Sequence, residues 1–234
     1  MKVAPSSGGG AGRPRTFLAD DSLPSRIVYS VFRNIVCWFT MAVTRMTIEG
    51  REHLPVTGAY VLAPVHRSYI DTPITACVTR RRIRFMGKAE MWKYPMLGWL
   101  FSALGAFPVN RGTADREALV RCITVLGHGE PLVLFPEGER KDGPLVQPLF
   151  DGAAYVAARA GVPIVPVGIG GSARVLPRHA KMLHPKKVHV VIGEPIVAEV
   201  GASGRSSRKA VMAVTDQLAT ELQRLFDLAQ SRVG

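Results

Sequence analysis

Apolar positions along this chain follow two rhythms, and their alternation predicts a layered α/β fold. Residues 59–65 (AYVLAPV) form an unbroken apolar run of strand length, and shorter strand-like stretches recur at 83–86, 107–111, 131–135, 164–167 and 187–192, with a further short strand at 47–50. Between them the apolar spacing turns helical, at 73–78, 114–126 and in the small-residue stretch from 151. From 204 to 230, Val211, Val214, Leu218, Leu222, Leu225 and Leu228 form the stripe of a closing helix. The predicted architecture is a single layered domain with a central mixed, largely parallel sheet flanked by helices, plus an N-terminal amphipathic membrane-associating helix. The expected divisions are a disordered basic tail at 1–21, an amphipathic helix at 22–46 and a globular domain at 47–234.

The tail is rich in Gly, Ser, Pro and Arg and lacks the apolar core of a signal peptide. In the helix that follows, Val28, Val31, Phe32, Ile35, Trp38, Phe39 and Ala42 recur at helical spacing, with Ser22 available as its cap. Arg26, Arg33 and Arg45 leave only residues 34–44 free of charge, too short to span a bilayer. Two readings stand: a helix lying in a membrane interface with its arginines reaching phosphates and Trp38 at headgroup depth, or an ordinary core helix. The same choice arises at 91–107, where Trp92, Tyr94, Trp99, Phe101 and Phe107 surround Pro95 and Gly98. That stretch reads either as core or as a lipid-facing or acyl-chain-binding rim.

With 234 residues, 47% of them hydrophobic, the chain can bury one sizeable core. A net charge of +12 calls for an anionic partner: membrane lipid, nucleic acid or a phosphorylated substrate. Cys37, Cys77 and Cys122 are widely spaced and read as reduced structural thiols. His179, His184 and His189 stand among lysines with no carboxylate close in sequence, so no metal site is expected there. The run Arg80, Arg81, Arg82 and Arg84 reads as a solvated surface face at a helix end.

The candidate chemistry gathers at strand ends, where open α/β sheets bind ligands. His66 ends the first long apolar run, and Asp71 follows five places later, just before a helix starts. An aspartate on one ring nitrogen leaves the other as a base; alternatively, Asp71 is a helix cap and His66 satisfies a loop carbonyl. Lys88 follows a short strand and is a phosphate candidate. Arg111, with Asn110 beside it, ends another and offers a guanidinium fork. After 131–135 come Glu137, Gly138 and Arg140: the glycine lets backbone approach a ligand, and the arginine adds a cation at the same sheet edge.

Four stretches fall in order: HRSYID at 66–71, GAFPVNR at 105–111, FPEGER at 135–140 and VPIVPVG at 162–168. This ordered set resembles the glycerolipid acyltransferase family, in particular the 1-acylglycerol-3-phosphate acyltransferases, and makes 47–234 an acyltransferase domain. Glu139 and Lys141 stand where the family usually has threonine and serine. The resemblance implies that His66 is the general base, that Asp71 orients it, and that Arg111 and the 137–140 turn hold the acceptor's glycerol phosphate. It also implies acyl-CoA or acyl carrier protein as co-substrate, no cofactor, and a peripheral or monotopic place on the cytoplasmic face of the cell membrane. No Gly-x-Ser-x-Gly elbow appears, which disfavours a seryl intermediate, and Ser68 reads as a local hydrogen-bonding residue. Glu137 has two readings, a bond to the glycerol hydroxyl or a tie to Arg111 or Arg140. A different lipid acceptor, such as a lyso-ornithine lipid or a glycolipid, is the runner-up. A basic nucleic-acid or membrane-binding module is the rival class, but no helix-turn-helix, zinc or single-strand-binding signature supports nucleic acid.

Overall fold

The structure, a computed structural model, describes residues 23–109, 116–177, 180, 182–197 and 207–234. The predicted tail, Ser22, Asn110, Arg111 and His179 lie outside them. Seven strands form one sheet: β1 (Thr47–Glu49), β2 (Val61–Pro64), β3 (Arg84–Lys88), β4 (Ala106–Val109), β5 (Leu132–Val133), β6 (Ile164–Gly170) and β7 (His189–Ile192). Their order is β1-β7-β6-β2-β5-β3-β4, and β6 with β7 is the antiparallel pair. The expected mixed, mostly parallel sheet is therefore present. Because β6, β2, β5, β3 and β4 lie side by side and run parallel, their carboxyl ends open on one edge. β2 and β6 are buried along their whole length, which is why they read as apolar runs without alternation.

The helices are α1 (Leu23–Thr44), α2 (Asp71–Val78), α3 (Pro95–Ala103), α4 (Arg116–Gly127), α5 (Gly152–Ala160), the short α6 (Ser172–Val175) and α7 (Arg208–Ser231). Ser207 caps α7 by accepting the Ala210 N–H at 3.1 Å. The predicted stripe of α7 packs across β6 and β7, with Leu218, Leu222, Leu225 and Phe226 fully buried. Contact is close because β6 carries glycine beneath the helix: a Cβ on Gly168 would fall 2.3 Å from the Leu225 carbonyl group, and one on Gly170 2.2 Å from the Ala229 oxygen.

α1 has one face packed in the core and another that is apolar and exposed. Tyr29, Cys37, Thr40 and Thr44 are buried where α1 meets α2 and α3, while Ile27, Val31, Ile35, Trp38 and Phe39 are exposed. By length and composition Arg26–Thr44 is long and apolar enough to cross a membrane, so counting charge-free residues understated its reach. Arg33 does not face outward as expected; its guanidinium donates to the Thr79 carbonyl at the end of α2. The 91–107 stretch divides likewise. Trp92 is buried with its indole N–H on Ser102 Oγ at 3.0 Å, whereas Tyr94 and Met96 are exposed.

Of the arginine run Arg80 is exposed, as expected, while the other three turn to partners within the protein. Arg84 is buried with Nε 2.7 Å from Glu130, Arg82 approaches the same carboxylate at 3.8 Å, and Arg81 donates to the Pro55 and Gly129 carbonyls. Orphan carbonyls at loop ends attract these donors, and a sequence read locally cannot show where those carbonyls lie. Cys37, Cys77 and Cys122 are buried thiols, none of them in a disulfide.

Candidate active site

The site grows from the point where β2 stops. His66 follows the strand, and Asp71 is the first residue of α2, so the loop between them is a single tight turn. His66 Nδ1 lies 3.0 Å from Asp71 Oδ2, and that oxygen also accepts the backbone N–H groups of Arg67 at 2.6 Å and Ser68 at 2.7 Å. Asp71 is completely buried, and its other oxygen, Oδ1, has no partner among the described residues. A carboxylate acceptor at Nδ1 places the imidazole proton there. Nε2 is left as the basic nitrogen. The ring stacks on Phe135 at 4.0 Å between centroids, and its side chain keeps 11% exposure, enough for approach from one side.

The 135–141 turn, which follows β5 beside β2, closes on the same loop. Lys141 N–H donates to the His66 carbonyl at 2.8 Å. Gly138 has φ +72°, which the turn meets most easily with glycine, and a Cβ there would also have to displace the exposed Phe150 ring, 2.7 Å away. The guanidinium of Arg140 sits 3.4 Å above the Tyr69 ring, and its Nη1 has no partner among the described residues. Glu139 and Lys141, the two departures from the family pattern, pair with each other at 2.8 Å.

Glu137, expected either to contact the acceptor or to tie its turn to a neighbouring arginine, is held by an arginine and by backbone groups. It is fully buried: Oε2 accepts from His66 N–H at 3.0 Å and Arg67 Nη1 at 2.7 Å, and Oε1 accepts from the same Nη1 at 2.9 Å and from Gln147 N–H at 3.0 Å. Both oxygens are thus engaged by protein, and among the described residues the tie runs to Arg67 rather than to Arg140. Arg67 is a residue that sequence reasoning passed over, because nothing local marks its partner 70 positions away. Ser68 has the local role expected of it, its hydroxyl donating to the Leu176 carbonyl at 2.7 Å.

Lys88 ends β3 in register with Val109 of β4, on the same sheet edge as His66. The expected partners Asn110 and Arg111 come next in sequence, beyond the described residues. Among the described residues no group of three His, Cys, Asp or Glu side chains is placed to hold a metal.

Two apolar hollows flank the motifs. One, of about 220 Å³, is lined by Phe135, Pro136, Gly138 and Phe150 together with Leu119 and Cys122. The other, of about 430 Å³, lies between Ile35 and Phe39 of α1, Tyr69 and Ile70 of the His66 loop, and Leu176 and Leu183. A larger, more polar cavity of about 1060 Å³ lies among β1, β7 and α7, and none of the motif residues lines it. Chemistry, not size, therefore locates the site.

Comparison with known proteins agrees with the resemblance carried by the four motifs. The sequence model of the Acyltransferase family matches residues 45–170, which include all four. The chloroplastic 1-acyl-sn-glycerol-3-phosphate acyltransferase of Brassica napus is 32% identical over 154 residues, covering 64% of this chain and 44% of that protein. The chain thus spans less than half the length of that relative. The 1-acyl-sn-glycerol-3-phosphate acyltransferase of Streptococcus pneumoniae is 27% identical over 210 residues, covering 86% of this chain and 74% of that one. Among solved structures, the 1-acyl-sn-glycerophosphate acyltransferase PlsC of Thermotoga maritima superposes with a TM-score of 0.71 at 25% identity, over 90% of this chain and 85% of that one. With more than half its length matched by the family's sequence model, the chain belongs to the Acyltransferase family.

Proposed function

We propose that the protein transfers a fatty acyl group from an acyl thioester, acyl-CoA or acyl carrier protein, to a hydroxyl of 1-acylglycerol 3-phosphate or glycerol 3-phosphate. The observation that carries this reading is the His66–Asp71 pair at the carboxyl edge of the sheet, bonded to the 135–141 turn. A lipid alcohol ionises far above neutral pH and needs a base as it attacks, whereas a thiolate leaves with little help. His66 Nε2 takes the hydroxyl proton as the oxygen bonds to the thioester carbon. The tetrahedral oxyanion then expels the thiolate, which takes the proton back from the imidazolium. Asp71 holds the ring in the required tautomer and stabilises the imidazolium. Ser68 is occupied by the Leu176 carbonyl, in keeping with direct transfer.

On the acceptor side Arg140, with its unpartnered Nη1, joins Lys88, Asn110 and Arg111 as the phosphate-binding set. Gly138 shapes the turn that presents Arg140. The exposed apolar face of α1 beside the 430 Å³ hollow suits a helix lying in the cytoplasmic leaflet of the cell membrane, as a peripheral anchor on an anionic surface.

The test is release of free thiol from acyl-CoA by the purified protein, with glycerol 3-phosphate, its monoacyl form, a lyso-ornithine lipid and a phosphate-free lysolipid offered in turn. Phosphate-bearing acceptors are expected to be used and His66→Ala to be inactive while folded. Substantial turnover by His66→Ala removes the mechanism, and preference for a phosphate-free acceptor removes the substrate assignment.

A further inference from the structure

Arg67 and Glu137 form an ion pair from which water is excluded: Arg67 is 3% exposed and Glu137 0%. Burying both charges costs desolvation that mutual attraction does not exceed by much, so such a pair adds little net stability over an apolar pair of the same shape. Its contacts suggest what it does instead. The carboxylate accepts the backbone N–H of His66 at 3.0 Å, and the guanidinium donates to the backbone carbonyl of His66 at 3.1 Å. Both main-chain polar groups of His66 are therefore held by one charge pair. Arg67 also reaches Asp71 through its own backbone N–H at 2.6 Å, the Leu145 carbonyl through Nη2 at 3.0 Å, and the Phe226 ring of α7 at 4.9 Å. The pair joins the loop after β2, the turn after β5, the 145–147 segment and α7 at one point.

We propose that the Arg67–Glu137 pair is the positioning device of the site: it sets the His66 backbone, and with it the imidazole relative to Asp71, and acts on turnover rather than on acceptor binding. This rests on the reading of His66 as the base. Neither residue is a catalytic group, since neither is exposed to a substrate. A rotation of the His66 backbone would lengthen the 3.0 Å bond to Asp71 and misdirect Nε2, and an ångström of misplacement in a reacting geometry is worth about a hundredfold in rate.

The experiment compares Arg67→Met, Glu137→Gln and the double variant with the unaltered protein, measuring Tm, kcat and the KM of the acceptor. Each single change strands a buried charge and is expected to lower Tm. The double change removes both charges, so Tm is expected to recover. Positioning predicts that kcat stays down by tenfold or more in all three, with acceptor KM within twofold. If kcat recovers together with Tm in the double variant, the pair is structural only and the proposal is overturned. A rise in acceptor KM at unchanged kcat in Glu137→Gln overturns it too, and makes Glu137 an acceptor contact. Arg67→Lys keeps the test open should Arg67→Met not fold: it retains the charge beside Glu137 but cannot reach both the His66 and Leu145 carbonyls, so near-normal Tm with reduced kcat supports positioning and normal kcat overturns it. His66→Ala run alongside separates two failures. Retained activity there sinks the base reading and this proposal with it, whereas an inactive His66→Ala beside a fully recovered double variant sinks the positioning role alone.

Discussion

One oxygen of Asp71 serves three donors: it lies 3.0 Å from His66 Nδ1 while accepting the N–H groups of Arg67 and Ser68. The residue that orients the imidazole thus also shapes the turn that delivers it. Asp71→Asn keeps an acceptor for the two backbone groups but no charge opposite the imidazolium. The expected result is a kcat reduced by about 10²–10⁴-fold with substrate KM values changed little. Steady-state kinetics on the folded variant decide it; a loss confined to KM would mean that Asp71 acts in binding.

Close approach of α7 to β6 makes a second prediction, on stability. A methyl at position 168 would lie 2.3 Å from the Leu225 carbonyl carbon and oxygen, which belong to helix backbone and cannot rotate away. Gly168→Ala is expected to destabilise by on the order of 1–3 kcal/mol, the usual penalty of overpacking. Urea denaturation reads the change directly. An unaltered midpoint would show that α7 shifts at no cost. Activity is expected to fall with stability, since α7 carries Phe226 beneath Arg67.

The outward face of α1 supplies a third. Trp38 is 72% exposed and Ile35 57%, so glutamate at both positions disturbs little packing but places charge on the proposed lipid-facing stripe. Sedimentation with anionic vesicles is expected to fall at least tenfold for Ile35→Glu with Trp38→Glu, with Tm unchanged. Equal sedimentation of variant and unaltered protein would remove α1 as the anchor.

A fourth concerns two thiols at the α1–α2 contact. A hydrogen bond from Cys77 lowers the Cys37 thiol to about 7 against the opposing effect of burial, helped by the charges of Arg33 and Arg51, while the same bond and burial push Cys77 up. The Cys77 S–H has a second acceptor, the Pro73 carbonyl at 3.0 Å, which it can keep while Cys37 is neutral. Because the folded value of Cys37 lies below that of an unfolded thiol, its stabilising contribution is present above the unfolded value and is lost as pH falls through about 7. Titration of thiolate absorbance is expected to show one thiol with a midpoint near 7, moved upward by Cys77→Ala. A midpoint indifferent to that change would refute the coupling.

Much of this protein can be read from short-range order. Apolar runs of four to seven residues mark the buried strands, and the α7 stripe repeats at helical spacing, because burial of one face leaves a periodic trace in the chain. His66 and Asp71 are also local, five positions apart across a single turn, so their pairing could be anticipated from strand end and helix start. The family pattern was visible for the same reason: each motif is one strand end with the loop after it.

What the linear order did not contain is every relationship between loops far apart in it. The strand order β1-β7-β6-β2-β5-β3-β4 and the reversed direction of β7 follow from how the sheet packs against its helices. Glu137 faces Arg67, and Arg81, Arg82 and Arg84 turn inward to Glu130 and to loop carbonyls, because buried polar groups must find partners wherever folding brings them. Hydrophobic periodicity is a property of neighbours in the chain, so it reports elements. The partner of a buried charge is a property of neighbours in space, and it exists only once those elements have come together.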